Sequence, residues 1–319
     1  MTAMLSADQC VYGPVPSRRL GRSLGVDVVP FKTCTYDCVY CQLGATTHKT
    51  VRRQRWLEPV EVVSRVRERL ASEPDIITLA GSSEPTLYDG LGEVIAGIKD
   101  LTGTPVAVLT NGSLLGLPAV QRDLGDADIV IPSLDAPDEG LFKLVNRPHV
   151  DLKFTEVVEG MVAFRECYGG QIWLEVLLLG GVTGIDAEVD RLAALAARIA
   201  PDRIQLNTVV RPPVEQSAQP VSPDRLREFV AAFTPQAEII AVVAPTGRGG
   251  GASSAEILAL LERRPCTVAG IAAGLGIHDG EALKAVSALV ALGAVEQRIY
   301  EGRLFYAAIP THDNSQEEQ

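Results

Sequence analysis

The stretch "SLGVDVVPFKTCTYDCVYCQLG", residues 23–44, runs an apolar segment into three cysteines placed within eight residues. Cys34, Cys38 and Cys41 follow the spacing Cys-x3-Cys-x2-Cys, and no fourth cysteine lies nearby. Thiolates are soft ligands that favour iron–sulfur clusters or zinc. A structural zinc ion asks for four ligands, and His48, seven residues after Cys41, is the candidate fourth. A cubane cluster held by three thiolates instead leaves one iron with an open position. The spacing by itself leaves both readings standing.

The surrounding pattern places this loop. Short apolar runs recur at 23–30, 75–80, 105–110, 128–134, 172–179 and 203–210, with helical patterns between them. In "EPVEVVSRVRERL" (58–70), Val60, Val63, Val66 and Leu70 read as one helical face, with Pro59 suited to the first turn. "DAEVDRLAALAARIA" (186–200) is a second such helix. Near-continuous apolar strands between helices predict a parallel sheet covered by helices. Six βα units predict an α/β fold of the partial TIM type, a (β/α)6 barrel. An open doubly wound sheet satisfies the same periodicity. In either case chemistry gathers at the C-terminal ends of the strands, which is where the cysteines fall.

Beyond a Pro-rich loop (211–223), a helix (224–233) and an apolar strand (237–244), the composition shifts. The expected organisation is a core over 1–245, a Gly-rich linker over 246–252, a winged helix-turn-helix domain over 253–309 and a disordered tail over 310–319. Ser253 and Glu256 form a capping box ahead of the first of three short helices. Glu301–Gly302 reads as the turn of a closing hairpin. The candidate recognition helix, 279–294, carries one base, Lys284, against Asp279 and Glu281, so protein docking or dimerisation is favoured over nucleic-acid contact.

The 319 residues are 46% hydrophobic and 22% charged, ordinary for a soluble globular chain. A net charge of −11 argues against wholesale nucleic-acid binding. Residues 1–60 nevertheless carry eight Lys/Arg against four Asp/Glu, which leaves an anionic substrate beside the cysteines as one reading and a solvated surface as the other. No apolar run is long enough to cross a membrane, and the start lacks the pattern of a secretory signal. The expectation is a cytoplasmic, reducing compartment, where clustered cysteines bind metal rather than pair.

Three further segments follow later strands: "GSSEPTLY" (81–88), "TNGSLL" (110–115) and "SLDAPDE" (133–139). Together with the cysteine loop, in which Tyr40 precedes the last cysteine, they resemble the radical S-adenosylmethionine (SAM) superfamily. The opening "YGPVPSRRLGRSLGVDVVP" (12–30) and "NRPH" (146–149) extend the resemblance to the Fe–S oxidoreductase branch related to wyosine-base synthases of tRNA, over about residues 11–210. The resemblance implies a 4Fe–4S cluster on Cys34, Cys38 and Cys41, with SAM on the open iron. It implies SAM contacts from Tyr40, from Gly81, Ser82, Ser83, Glu84 and Pro85, from Asn111, with Ser113 a further polar candidate, and from Ser133 and Asp135. Glu84 is the implied partner of the SAM ammonium, and Ser133 and Asp135 of the ribose hydroxyls. An electron donor such as flavodoxin or ferredoxin is implied as well.

Glu175 interrupts an apolar strand, so it either faces SAM from the interior or pairs with an arginine. Asn207 is read as a satisfied core residue, and Arg147 and His149 as surface or substrate-facing. True 4-demethylwyosine synthases carry a second cluster. The remaining cysteines here, Cys10, Cys167 and Cys266, are far apart in sequence, so that reaction does not transfer. The expected function is reductive SAM cleavage for modification of a macromolecule, tRNA first. A radical SAM activase or maturase acting on a protein or peptide is the alternative. A non-enzymatic, metal-binding winged-helix regulator is the rival from another class.

Overall fold

A computed structural model describes residue 7 and residues 10–240 and 253–309. The linker over 246–252, the tail over 310–319 and the second half of the strand expected at 237–244 lie outside the described residues. The chain divides into two compact units, Met1–Val243 and Ala244–Gln319.

In the first unit, β1 (Val11–Ser17) and β2 (Gly21–Val26) form an antiparallel hairpin. Two short strands, β3 (Thr33–Cys34) and β4 (His48–Lys49), bracket the cysteine loop. There follow α1 (Pro59–Arg69), β5 (Ile76–Leu79), α2 (Leu91–Leu101), β6 (Val106–Thr110), α3 (Pro118–Asp123) and β7 (Ile129–Pro132). Then come α4 (Glu139–Val145), α5 (Phe154–Cys167), β8 (Gln171–Leu178), α6 (Asp186–Ile199), β9 (Arg203–Thr208), α7 (Pro223–Phe229) and β10 (Glu238–Ile239). The central sheet has the order β1-β2-β5-β6-β7-β8-β9-β10 and is parallel from β2 onward. It is an α/β fold with a mostly parallel sheet. Neighbouring parallel strands in sequence order, each reached through a helical crossover, put every strand's C-terminal end at one edge.

The sequence reading missed β1, whose two prolines argue against a central strand. It lies at the sheet edge, where proline is tolerated. The buried stripe of α1 is Pro59, Val62 and Val66, whereas Val60 is exposed. At 3.6 residues per turn Val60 lies more than about a quarter turn from that stripe, so the expected face was drawn too wide.

Side-chain alternation separates the two sheet faces. Val106, Val108, Val130, Ile172, Leu174, Ile204 and Leu206 join the main core beneath the helices. Leu20, Ile76, Ala107, Ile131 and Trp173 form a second cluster on the other face, toward the N-terminal ends of the strands. Further along, that second face becomes polar: Ser23, Thr78, Glu175, Gln205 and Asn207 all lie on it. Polarity on an inner sheet face next to the C-terminal ends of strands is what a site requires and what packing alone does not.

The second unit holds α8 (Ser254–Arg263), α9 (Val268–Leu275), α10 (Asp279–Ala291) and the antiparallel hairpin β11 (Val295–Tyr300) and β12 (Arg303–Ala308). The Ser253–Glu256 capping box is formed in both directions. Glu301 and Gly302 both take positive φ in the hairpin turn, +48° and +68°, as a two-residue type I′ turn requires. Among the described residues, no helix is long and apolar enough to cross a membrane.

Candidate active site

The cysteine loop is an excursion between β3 and β4, which pair in parallel as Thr33 with His48 and Cys34 with Lys49. Backbone bonds tie it to three distant segments. Lys32 N donates to Ser82 O at 3.0 Å, and Glu84 N donates to Thr33 O at 3.1 Å. Asp37 N and Val39 N donate to Asn146 O and Val145 O, each at 3.0 Å. His149 N reaches Thr35 O at 2.8 Å, and Val214 N reaches Cys41 O at 3.0 Å. The loop therefore sits on the segments after β5, α4 and β9, at the edge where the strands end.

Each cysteine faces a side-chain N–H donor from elsewhere. Asn111 Nδ2 lies 3.5 Å from Cys34 Sγ, Asn146 Nδ2 3.6 Å from Cys38 Sγ, and Lys32 Nζ 3.1 Å from Cys41 Sγ. Burial pushes the Cys34 thiol up to about 12, with the Glu84 carboxylate adding to the rise and Lys32 opposing it. Burial also raises the Cys38 thiol, and the Asp135 carboxylate and the other two cysteines add to it. The three sulfurs are thus electrostatic neighbours. His48, the alternative fourth ligand for zinc, is exposed. Among the described residues, no three His, Cys, Asp or Glu side chains converge to hold a single metal ion.

"GSSEPTLY" leaves β5 as a tight turn braced by Asp27, which follows β2. Asp27 Oδ2 accepts from Ser82 N at 2.9 Å and Ser82 Oγ at 2.8 Å, while Oδ1 accepts from Ser83 Oγ at 3.1 Å. A Cβ on Gly81 would meet Asp27 Oδ2 at 2.3 Å, so glycine is required by the bracing carboxylate. Pro85 begins a one-turn 3-10 helix that Glu84 caps with its own side chain. Glu84 is 2% exposed. Its Oε1 accepts from Thr86 N, Thr86 Oγ1 and Thr110 Oγ1 at 3.1, 2.7 and 2.6 Å, and its Oε2 from Asn111 N at 2.8 Å. Burial raises its carboxyl above the ordinary range, and these four donors oppose the rise. Oε2, with one donor, retains room for a second.

After β6, Gly112 turns the chain at φ +77°, and Asn111 Oδ1 accepts from Ser113 N in the Asx turn that the Asn-Gly pair predicts. The Asn111 amide donates to Thr35 Oγ1 at 2.7 Å, and Ser113 Oγ lies 2.8 Å from that same hydroxyl. Both residues therefore grip the cysteine loop. After β7, Ser133 bridges to Glu175 through the backbone and lines a cavity with room for about one water, beside Tyr36 and Met161. Asp135 is buried. It accepts from Tyr40 OH at 2.5 Å, Asn146 Nδ2 at 3.0 Å and Leu177 N at 3.1 Å. The helix cap of α4 is Asp138, not Asp135.

Glu175 pairs with an arginine: Arg19 Nη1 is 2.5 Å from Oε2, and Asn207 Nδ2 donates to Oε1 at 2.7 Å. Burial raises the Glu175 carboxyl, but Arg19, Asn207 and Arg18 outweigh it and hold the group below its usual range. Arg147 pairs with Glu215 at 2.8 Å, so it and His149 fasten the loop rather than stand apart from it. Lys32, Asp27 and Thr35 were not assigned a role from the sequence, and Asn146 entered only as the first residue of "NRPH". Asp27, breaking the apolar run "GVDVV", was the one with a visible signal.

The sequence profile described as the radical SAM superfamily matches residues 28–196. The chain is 36% identical over 304 residues to a protein of Brachyspira hyodysenteriae named GTPase Obg, covering 93% of this chain and 45% of that one. The chain thus spans less than half of that relative's length. It is 36% identical over 226 residues to the UPF0026 protein MJ1312 of Methanocaldococcus jannaschii, covering 70% of each. Among solved structures, a radical SAM methyltransferase from Sphaerobacter thermophilus superposes with a TM-score of 0.52 at 19% identity, over 68% of this chain and 65% of that one.

Proposed function

The chain belongs to the radical SAM superfamily, whose enzymes use a 4Fe–4S cluster and SAM, and from that premise we propose that Cys34, Cys38 and Cys41 hold the cluster. The observation that carries this reading is the seat of the loop. Three neighbouring thiols lie at the C-terminal edge of a parallel sheet, each facing an N–H donor that suits a thiolate sulfur. The donor set fits the group: soft, clustered, and presented on one loop. The raised thiols must lose their protons on ligation, so iron and sulfide binding strengthens with pH.

When bound, the cluster supplies the electron that cleaves the sulfonium of SAM and releases a 5′-deoxyadenosyl radical. The chain's own residues do the rest. Gly81, Ser82, Ser83 and Pro85 form a braced turn against which the methionine end of SAM lies. Glu84 offers its remaining Oε2 acceptor position to the SAM ammonium. Tyr40 and Asp135 form the wall toward the nucleoside, with Ser133 beside them. Asn111 acts chiefly by holding Thr35, since its amide is already engaged there. The interior face carrying Arg19, Glu175 and Asn207 lines the approach for substrate.

The six parallel βα units are read as a partial (β/α)6 barrel, and α8–α10 with the hairpin as a winged helix suited to docking a protein. The substrate is a macromolecule, tRNA first and a polypeptide second. Anaerobic reconstitution with iron and sulfide, followed by reduction with SAM, is expected to yield 5′-deoxyadenosine. A fully loaded protein that leaves SAM intact refutes the reading. Product nucleosides from bulk tRNA, set against modified peptides, then separate the two substrate classes.

A further inference from the structure

Of the three side-chain N–H donors facing the thiols, one differs in kind. Asn111 and Asn146 are neutral and lie 3.5 and 3.6 Å from their sulfurs. Lys32 is a cation 3.1 Å from Cys41 Sγ. It is also 4% exposed, which is unusual for lysine.

The fold places Lys32 deliberately. Its φ of +55° lies in the left-handed region, disfavoured for a residue with a Cβ. Its N–H is bound to Ser82 O, and its carbonyl accepts from Thr47 N and His48 N at 3.1 and 3.2 Å. The turn after β5 and the start of β4 therefore fix, from two sides, the backbone that aims the side chain inward. The one hydrogen bond its ammonium makes among the described residues is to Cys41 Sγ. A buried ammonium is costly unless an anion faces it. A neutral thiol does not meet that need, and a metal-bound thiolate does.

We propose that Lys32 is a positioning residue that holds a positive charge against the Cys41 thiolate and so makes the cluster easier to reduce. The inference rests on the cluster reading above. One electron enters from an external reductant, with no bond made and no proton moved. The metal centre becomes more negative by one charge, so a fixed cation beside it stabilises the reduced state more than the oxidised one. Hydrogen bonds to sulfur and local charge are the levers that set such potentials.

The test compares the reconstituted full chain with Lys32→Gln and Lys32→Arg, titrated with dithionite and read by electron paramagnetic resonance, with iron and sulfide contents measured alongside. In Lys32→Gln the content is expected to match wild type. The reduced-to-oxidised ratio at a fixed potential is expected to fall at least tenfold, about 59 mV for one electron. Lys32→Arg, which keeps the charge, is expected to stay within about threefold of wild type, since the shift follows charge rather than shape. Equal potentials in all three proteins overturn the proposal. Loss of iron in Lys32→Gln but not in Lys32→Arg also overturns it, because the charge would then serve assembly. A wild-type chain that binds no iron and sulfide fails the cluster reading first, a result distinct from either.

Discussion

Asp135 makes the stability of the cluster-free chain depend on pH in a direction opposite to most carboxylates. Its carboxyl is raised from 3.8 to about 6, first by burial, with Tyr40, Asn146 and the Leu177 N–H opposing the rise and Glu175 adding to it. An acid with a higher pKa folded than unfolded takes up a proton on folding. Between the two values the native state binds more protons, so stability falls as pH rises. Its contribution is complete below the unfolded value and gone above about 6. At 1.36 kcal/mol per unit the whole change is about 3 kcal/mol, of which about 2 kcal/mol falls between pH 4 and pH 7. The group is buried, so solvent screening does not reduce it. The assay is urea unfolding of wild type and Asp135→Asn across that range, followed by tryptophan fluorescence. Both tryptophans, Trp56 and Trp173, lie in the first unit, so the signal reports that unit alone. Other groups cancel in the difference between the two proteins. Wild type is expected to lose about 2 kcal/mol relative to Asp135→Asn as pH rises from 4 to 7. A difference that stays constant within about 0.5 kcal/mol, or moves the other way, refutes the assigned environment of Asp135.

Arg19→Met leaves the largely buried Glu175 carboxylate without its arginine partner, while Asn207 still donates to it. The expected cost is about 3 kcal/mol, read as a lower urea midpoint, and a loss under about 1 kcal/mol contradicts the pairing. Gly81→Ala drives a Cβ into Asp27 and displaces the serine turn. Iron content is expected to hold while SAM affinity, measured by calorimetry, falls at least about tenfold, the effect of roughly 1.4 kcal/mol. Ser253→Ala removes the capping box of α8 at a cost of about 1 kcal/mol. Hydrogen exchange of the α8 amides in the full chain is expected to accelerate about fivefold, and unchanged exchange counts against the cap.

Strand positions were legible because the pattern is local: the run expected at 75–80 is β5, and that at 203–210 contains β9. The site was legible only in part. Residue types at strand ends marked Glu84, Asn111 and Asp135. What each side chain does depends on partners far away in sequence, such as Tyr40 with Asp135, 95 residues apart, and Asn146 with Cys38, 108 apart. Glu175 left two options that periodicity does not separate, and the β1–β2 turn decides between them by delivering Arg19 across 156 residues. Lys32 was invisible because a lysine beside a cysteine motif reads as surface charge until the β3–β4 bracket shows it turned inward.

That bracket also bears on how the protein is made. The cysteine loop is closed by bonds to residues 113, 145, 146, 149, 214 and 215. Contacts of such sequence separation form late, because loop closure must precede them. On a ribosome the three thiols emerge long before the last of these partners. They remain on an unclosed segment until residue 215 has left the tunnel. Cluster loading is therefore expected to follow synthesis of the whole first unit, and a chain arrested before residue 214 is expected to expose three thiols to oxidation without a seat for iron.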